Sequence, residues 1–255
     1  MKRILVENIT PSVDRLSITG GEARYINKVL RMKRGQELII MDGRGQSFKA
    51  IIERVSYGEV TVKIDRSLPP QPSSPVEITL CQALLKSHAM DYLIQKVTEL
   101  GITAIQPFLS ERTVIRIRPE NRNPKLERWR EVVKSACRQC NRAILPLVEP
   151  PRPFSEVVEN APGKRALKVL LWENEASVDL KGVLRSVDPF PHVFAVVGPE
   201  GGLTPKEVGL AMERNFRVIS LGNRILRAET AAVSLIAIIQ YEWGDLHLSS
   251  ETVIS

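Results

Sequence analysis

Hydrophobic patterning divides the chain into two regimes. Up to about residue 66 the apolar positions come in short runs with period two, the spacing of half-buried strands. Glu37 to Met41 is apolar-rich, Asp42-Gly43-Arg44-Gly45 signals a turn, and Ser47 to Ser56 follows as a strand. Tyr57-Gly58 turns the chain again, and Val60 to Asp65 alternates. One helix is predicted between Gly21 and Arg31, where Ala23, Ile26, Val29 and Leu30 share a face. Short strands with a single helix read as a small β-barrel. Beyond residue 75 strands alternate with helices. The predicted strands are Val76–Cys81, Thr103–Phe108, Leu167–Trp172, His192–Val197 and Val218–Leu221. The predicted helices run over Met90–Leu100, Lys125–Cys140, Thr204–Arg214 and Ala228–Tyr241, with Gly101 as a natural stop for the first. Such alternation argues for an α/β domain on a parallel sheet.

Between the regimes lies Ser-Leu-Pro-Pro-Gln-Pro-Ser-Ser-Pro at 67–75. Its prolines sustain neither a helix nor an inner strand, so the segment reads as a linker. The expected domains are 1–70 and 75–255. No internal repeat is visible.

The chain has 255 residues with 43% hydrophobic and 25% charged positions, which excludes general disorder. The longest apolar stretch, Ala231 to Ile239, is interrupted by Ser234 and is too short for a membrane span. The start, Met1-Lys2-Arg3-Ile4-Leu5-Val6-Glu7, has no apolar h-region, so no secretory leader is expected. Three cysteines, Cys81, Cys137 and Cys140, do not make a disulfide framework, and a reducing cytoplasm is the expected location. The net charge of +7 is unevenly placed: residues 1–74 and 75–165 each carry +5, and 166–255 carry −3. Arginine outnumbers lysine 23 to 13, and residues 112–142 hold 10 basic against 3 acidic side chains. Arginine's planar fork suits phosphates and base edges, so the front of the chain is a candidate nucleic-acid surface.

Several chemistries lack their motifs. There is no P-loop, no G-x-G-x-x-G after a strand, no H-E-x-x-H and no G-x-S-x-G. Cys137-x-x-Cys140 has no second pair and no nearby histidine, so ordinary thiols are expected there and no metal. Histidine is scarce (His88, His192 and His247), so a general base is expected to be a carboxylate or a water.

Two loops after predicted strands carry unusual residues. In Val197-Gly198-Pro199-Glu200-Gly201-Gly202-Leu203-Thr204-Pro205-Lys206-Glu207, three glycines bring a ligand close to the main chain and Glu200 is the lone charge of the turn. Thr204, Pro205 and Glu207 form a capping-box start for a helix. In Leu221-Gly222-Asn223-Arg224-Ile225-Leu226-Arg227-Ala228-Glu229-Thr230-Ala231, a glycine turn opens a helix that is apolar nearly all round, as for a helix buried on every side or forming an interface. Glu229 suits the start of a helix, whereas Arg227 opposes its dipole and hints at a functional duty. Both loops, with Trp172-Glu173-Asn174-Glu175, follow predicted strands, where an open parallel sheet binds ligands.

GPEGGLTPKEV at 198–208 and LGNRILRAETAAV at 221–233 resemble the signature motifs of the SPOUT methyltransferases, and among them the bacterial 16S ribosomal RNA uridine-N3 methyltransferases, the RsmE type. The resemblance extends to Val29-Leu30-Arg31, Gly35, Lys86, Thr98-Glu99-Leu100-Gly101, Arg112 and Cys137-Arg138-Gln139-Cys140-Asn141-Arg142, and so covers nearly the whole chain. It implies a PUA-like β-barrel ahead of an α/β domain tied in a deep trefoil knot, a homodimer joined through the C-terminal helix, and S-adenosylmethionine as cofactor. The implied cofactor site comprises Trp172, Glu173, Val197, Gly198, Pro199, Glu200, Gly201, Gly202, Leu221, Gly222, Ile225, Leu226, Arg227, Thr230 and Ala231, with backbone groups of Gly198, Gly201, Gly202, Leu221 and Leu226 on adenine and ribose.

In the implied reaction the N3 proton of uridine must leave. Arg227, or Arg138 or Arg142 of a partner subunit, would stabilise charge developing on O2 and O4, and Glu229 or Glu200 would accept the proton. The candidate RNA phosphate contacts are Arg31, Lys86, Arg112, Lys134, Arg138 and Arg142, and the expected RNA partner is 16S ribosomal RNA within the small ribosomal subunit. A SPOUT enzyme acting on a ribose 2′-oxygen and a non-catalytic RNA-binding assembly factor are the competing readings.

Overall fold

The computed structural model describes residues 1–6, 9, 14–115, 118, 121–163, 165–175 and 177–246. The chain forms two compact units, one of Met1–Pro72 with Lys134–Leu145, the other of Ser73–Val133 with Pro146–Ser255.

The first unit is built on five strands: β1 (Lys2–Leu5), β2 (Arg15–Thr19), β3 (Glu37–Met41), β4 (Ser47–Ser56) and β5 (Glu59–Ser67). Their order is β1-β3-β4-β5-β2, with β1 parallel to β3 and the other pairs antiparallel. Alternation along β4 turns Phe48, Ala50 and Ile52 inward, where the latter two join Ile4, Ile18, Leu38, Ile40, Val60 and Val62 in one core. β1 and β2 stand at the two ends of this order, and among the described residues no ladder joins them. The predicted helix at 21–31 is shorter and changes pitch: α1 (Gly20–Arg24) runs into a π-helical turn, Tyr25–Val29, and Arg31 leaves it at φ 51°.

The segment 134–145 belongs to this unit through polar and apolar contacts. Arg138 Nη1 donates to Glu22 Oε1 at 2.6 Å, and the guanidinium lies 4.7 Å from the Tyr25 ring centre. Leu145 N donates to the Gly43 carbonyl at 3.0 Å, Ala143 N to Gln71 Oε1 at 3.0 Å, and Ala143 packs with Leu5 and Met41.

The second unit is a parallel sheet flanked by helices. Its strands are β6 (Glu77–Ala83), β7 (Ala104–Leu109), β8 (Leu147–Val148), β9 (Arg152–Pro153), β10 (Ala166–Leu171), β11 (His192–Val197) and β12 (Arg217–Ile219), in the order β12-β10-β11-β6-β7-β8 with β9 also on β7. Every pair is parallel. The helices are α2 (Ser87–Glu99), α3 (Arg122–Cys140, in this unit up to Val133), α4 (Phe154–Glu159), α5 (Leu180–Arg185), α6 (Pro205–Glu213) and α7 (Ala228–Trp243). α2 buries Met90, Leu93, Ile94 and Val97 at helical spacing. It stops at Gly101, whose φ of +85° and whose 2.8 Å approach to Gln240 Nε2 at the Cβ position both demand glycine.

Strand β11 has the predicted bounds, and the other predicted strands and helices beyond 75 differ only by a few residues at their ends. The elements the pattern did not reveal, β1, β2, β8, β9, α4 and α5, span two to six residues, too few to display a period. α7 is apolar but not enclosed: it packs on α2, β6 and β11, while Ile238 and Tyr241 stay exposed. No helix among the described residues is long and apolar enough to cross a membrane.

Phe108 is fully buried, with its ring 5.3 Å from that of Phe154. Phe108→Ala should therefore lower unfolding free energy by about 3–5 kcal/mol in urea titration, against about 0.5 kcal/mol or less for the exposed Met212→Ala. Burial also pushes the Cys137 thiol up to about 12 and the Cys81 thiol well above its usual range. Both should resist iodoacetamide at pH 8 in the native protein and react on unfolding, as read by peptide mass spectrometry.

Candidate active site

The carboxyl ends of β6, β10, β11 and β12 surround a cavity of about 990 Å³. Strand order explains its place: the chain builds from β6 outward to β7 and β8, then returns on the other side of β6 with β10, β11 and β12. The loops leaving the later strands face the loop leaving β6, the usual crevice of an open parallel sheet. Trp172 and Glu173 enter from β10, Val197 to Gly202 from β11, and Leu221, Gly222, Ile225, Leu226 and Arg227 from β12. Glu229 and Ala231 line the cavity from the first turn of α7. The three segments singled out in the sequence thus converge. Thr230 does not line the cavity and is exposed: successive helical residues point about 100° apart, so it faces away.

The glycine loop is held by side chains from elsewhere. Gln82 is fully buried on β6 and donates from Nε2 to the carbonyls of Gly198 (3.2 Å), Val197 (3.4 Å) and Ala83 (3.1 Å). Arg112 Nη1 donates to the Gly201 carbonyl at 3.1 Å. Thr204 caps α6 in the expected box, and the buried Glu207 accepts from Thr204 N and from Glu111 N, both at 2.9 Å. Gly202 sits at φ +70°, and a Cβ there would lie 2.2 Å from Glu173 Oε1, so the carboxylate occupies the space that glycine leaves. Trp172 is fixed by its backbone N–H on the Ile219 carbonyl, while its indole Nε1 is buried without a hydrogen-bond partner. A buried unpaired donor is costly.

The charges at the cavity are mixed. Glu173, Glu175, Glu200 and Glu229 lie with Lys86, Arg224 and Arg227. Arg227 is the N-cap residue of α7, exposed, and makes no side-chain cap bond. Its charge beside a helix N-terminus needs an anionic counterpart.

The expected RNA contacts divide between the units, Arg31, Lys134, Arg138 and Arg142 in the first and Lys86 and Arg112 in the second. Lys86 precedes α2 and lines the cavity itself. Arg112 is bonded to the glycine loop, and Arg138, with 13% of its side chain exposed, is bonded to Glu22. Lys134 and Arg142 are half-buried, and Arg31 is exposed. His192 Nε2 lies 3.0 Å from Thr79 Oγ1, away from the cavity, His88 is exposed on α2, and His247 lies outside the described residues. No group of three or more His, Cys, Asp or Glu side chains suited to a metal gathers among the described residues.

Sequence reasoning missed Gln82, Lys86 as a cavity residue, and the tie from Arg112 to Gly201. The predicted strand Val76–Cys81 stops one residue short of Gln82, whereas β6 runs on to Ala83.

The family model of an RNA methyltransferase domain matches residues 72–240, and that of an RNA methyltransferase PUA domain matches 18–65. The chain is 34% identical over 222 residues to ribosomal RNA small subunit methyltransferase E of Synechocystis, covering 87% of this chain and 71% of that protein. It is 29% identical to the Bacillus subtilis protein of the same name, over 95% and 97% of the two chains. Among solved structures, ribosomal RNA small subunit methyltransferase E from Neisseria gonorrhoeae bound to S-adenosyl methionine superposes with a TM-score of 0.88 at 32% identity, over 97% and 100% of the chains. A Legionella pneumophila protein in complex with bound SAM gives 0.89 at 32% identity, over 96% and 98%. By domain content, by identity along most of its length and by fold, the chain belongs to the ribosomal RNA small subunit methyltransferase E family of RNA methyltransferases.

Proposed function

We propose that this protein transfers a methyl group from S-adenosylmethionine to N3 of a uridine in the 16S ribosomal RNA of the small ribosomal subunit. The observation that carries the reading is the cavity at the strand ends, floored by a glycine loop whose carbonyls are held from outside. Its volume of about 990 Å³ lies at the upper end of the small-molecule range, leaving room for a nucleobase beside a cofactor. The residues suit an adenosyl amino acid: main-chain groups of Gly198, Gly201, Gly202, Leu221 and Leu226 for adenine and ribose, and the Glu173 carboxylate. The cofactor supplies a methyl group on a sulfonium, which needs no further activation. The chain's part is to align the acceptor base, exclude water and handle one proton. Arg227 stabilises the charge that develops on O2 and O4 of the uracil as N3 loses its proton, and Glu229 or Glu200 accepts that proton. The base reaches the cavity by leaving its stack.

The α/β domain is tied in a trefoil knot, a reading supported by the resemblance of 198–208 and 221–233 to the SPOUT motifs. A second copy of the chain covers the exposed Ile238 and Tyr241 of α7. Arg31, Lys86, Lys134 and Arg142 face RNA, with Arg112 and Arg138 serving the scaffold. The buried free thiols suit a reducing cytoplasm.

Incubation with S-adenosylmethionine and unmodified small subunits, followed by nucleoside mass spectrometry, should yield 3-methyluridine. A different methylated nucleoside, including a 2′-O-methyl ribose, overturns the assigned target. Arg227→Ala should lower turnover by about 100-fold or more and cofactor affinity by a much smaller factor. Equal losses in both would overturn its charge-stabilising role.

A further inference from the structure

We infer that Gln82 is a positioning residue for the cofactor loop: its carboxamide sets the orientation of the two peptide groups on which the loop after β11 turns. This rests on the reading of the cavity as an S-adenosylmethionine site. Gln82 lies opposite Val197 in the β6–β11 register, at the last residue pair of that ladder. Beyond this pair the strands part and the ladder no longer holds the backbone. There the Nε2 group reaches across to the carbonyls of Val197 and Gly198 and back to that of Ala83. Three carbonyl oxygens around one nitrogen determine which end of the amide points there: an oxygen in its place would face three acceptors.

The peptide bonds among the described residues are trans. In a planar trans peptide the N–H points opposite to the C=O. Anchoring the Val197 oxygen therefore directs the Gly198 N–H, and anchoring the Gly198 oxygen sets the plane from which Pro199 and Glu200 depart. Gly198 cannot be steadied by a side chain of its own, and a Cβ on it would come within 3.0 Å of Leu203 Cγ. The other end of the carboxamide supports the assignment. Gln82 Oε1 is buried without a hydrogen-bond partner, so the side chain accepts an unsatisfied acceptor in order to place a donor. An apolar residue of similar shape would avoid that penalty, and a merely space-filling role would favour one. Local rules are broken in this way where a site requires it. Gln82 itself does not line the cavity, so it acts through the loop and not on the ligand.

The test is S-adenosylmethionine titration by calorimetry on the full chain, with thermal melts of the ligand-free proteins. Q82M keeps the shape and removes the donor; its Kd should rise by tenfold or more while its ligand-free melt stays cooperative. Q82E is measured from pH 6 to 9. Buried among carbonyl oxygens, its acid is held protonated at the lower pH and donates one hydrogen bond, so affinity should be partly recovered at pH 6 and lost as pH rises, with no matching trend in the native protein. A Q82M affinity equal to that of the native protein, or a Q82E affinity that follows the native pH profile, overturns the role of Gln82. Failure of the native protein to bind S-adenosylmethionine overturns the reading of the cavity instead.

Discussion

A loop that lets a ligand touch its main chain has few side chains with which to hold itself. The run Gly198-Pro199-Glu200-Gly201-Gly202 meets this constraint, and the architecture around it supplies what the loop lacks. Gln82 holds the carbonyls at its start, Arg112 the carbonyl of Gly201, and the capping box of Thr204 and Glu207 holds its exit. Glu207 also takes the Glu111 N–H, which ties the stretch following β7 to the start of α6. The glycine loop is therefore a product of three neighbouring segments, and its rigidity is borrowed from the sheet.

The same principle applies to charge. Arg138 and Arg112 belong to the arginine-rich stretch that gives the chain its basic front, yet each is committed to a partner within the protein. Arg138 also lies over the Tyr25 ring in a cation–π contact. A basic composition thus divides between scaffold and surface, and only the placement of each side chain tells which. Lys86 and Arg227 have gone the other way: they line the cavity, as do Glu173, Glu200 and Glu229. Four acidic and three basic groups around one cavity give it little net charge.

Much was determined by the sequence alone. The change from period two to strand–helix alternation separated the two kinds of fold, and the strong runs placed β3, β4, β11 and α7 close to where they lie. Glycine and proline punctuation marked both cavity loops, because a positive φ, a close approach or a helix start leaves a chemical trace at the residue concerned. The tertiary structure decided what depends on partners distant in the chain. Gln82 and Gly198 are 116 residues apart, and strand order alone brings them together. It likewise assigned residues 134–145 to the first unit, put Lys86 at the cavity and turned Thr230 away from it. Periodicity reports how one segment meets water and core, whereas a hydrogen-bond partner or a shared cavity is a property of topology, which local pattern does not encode.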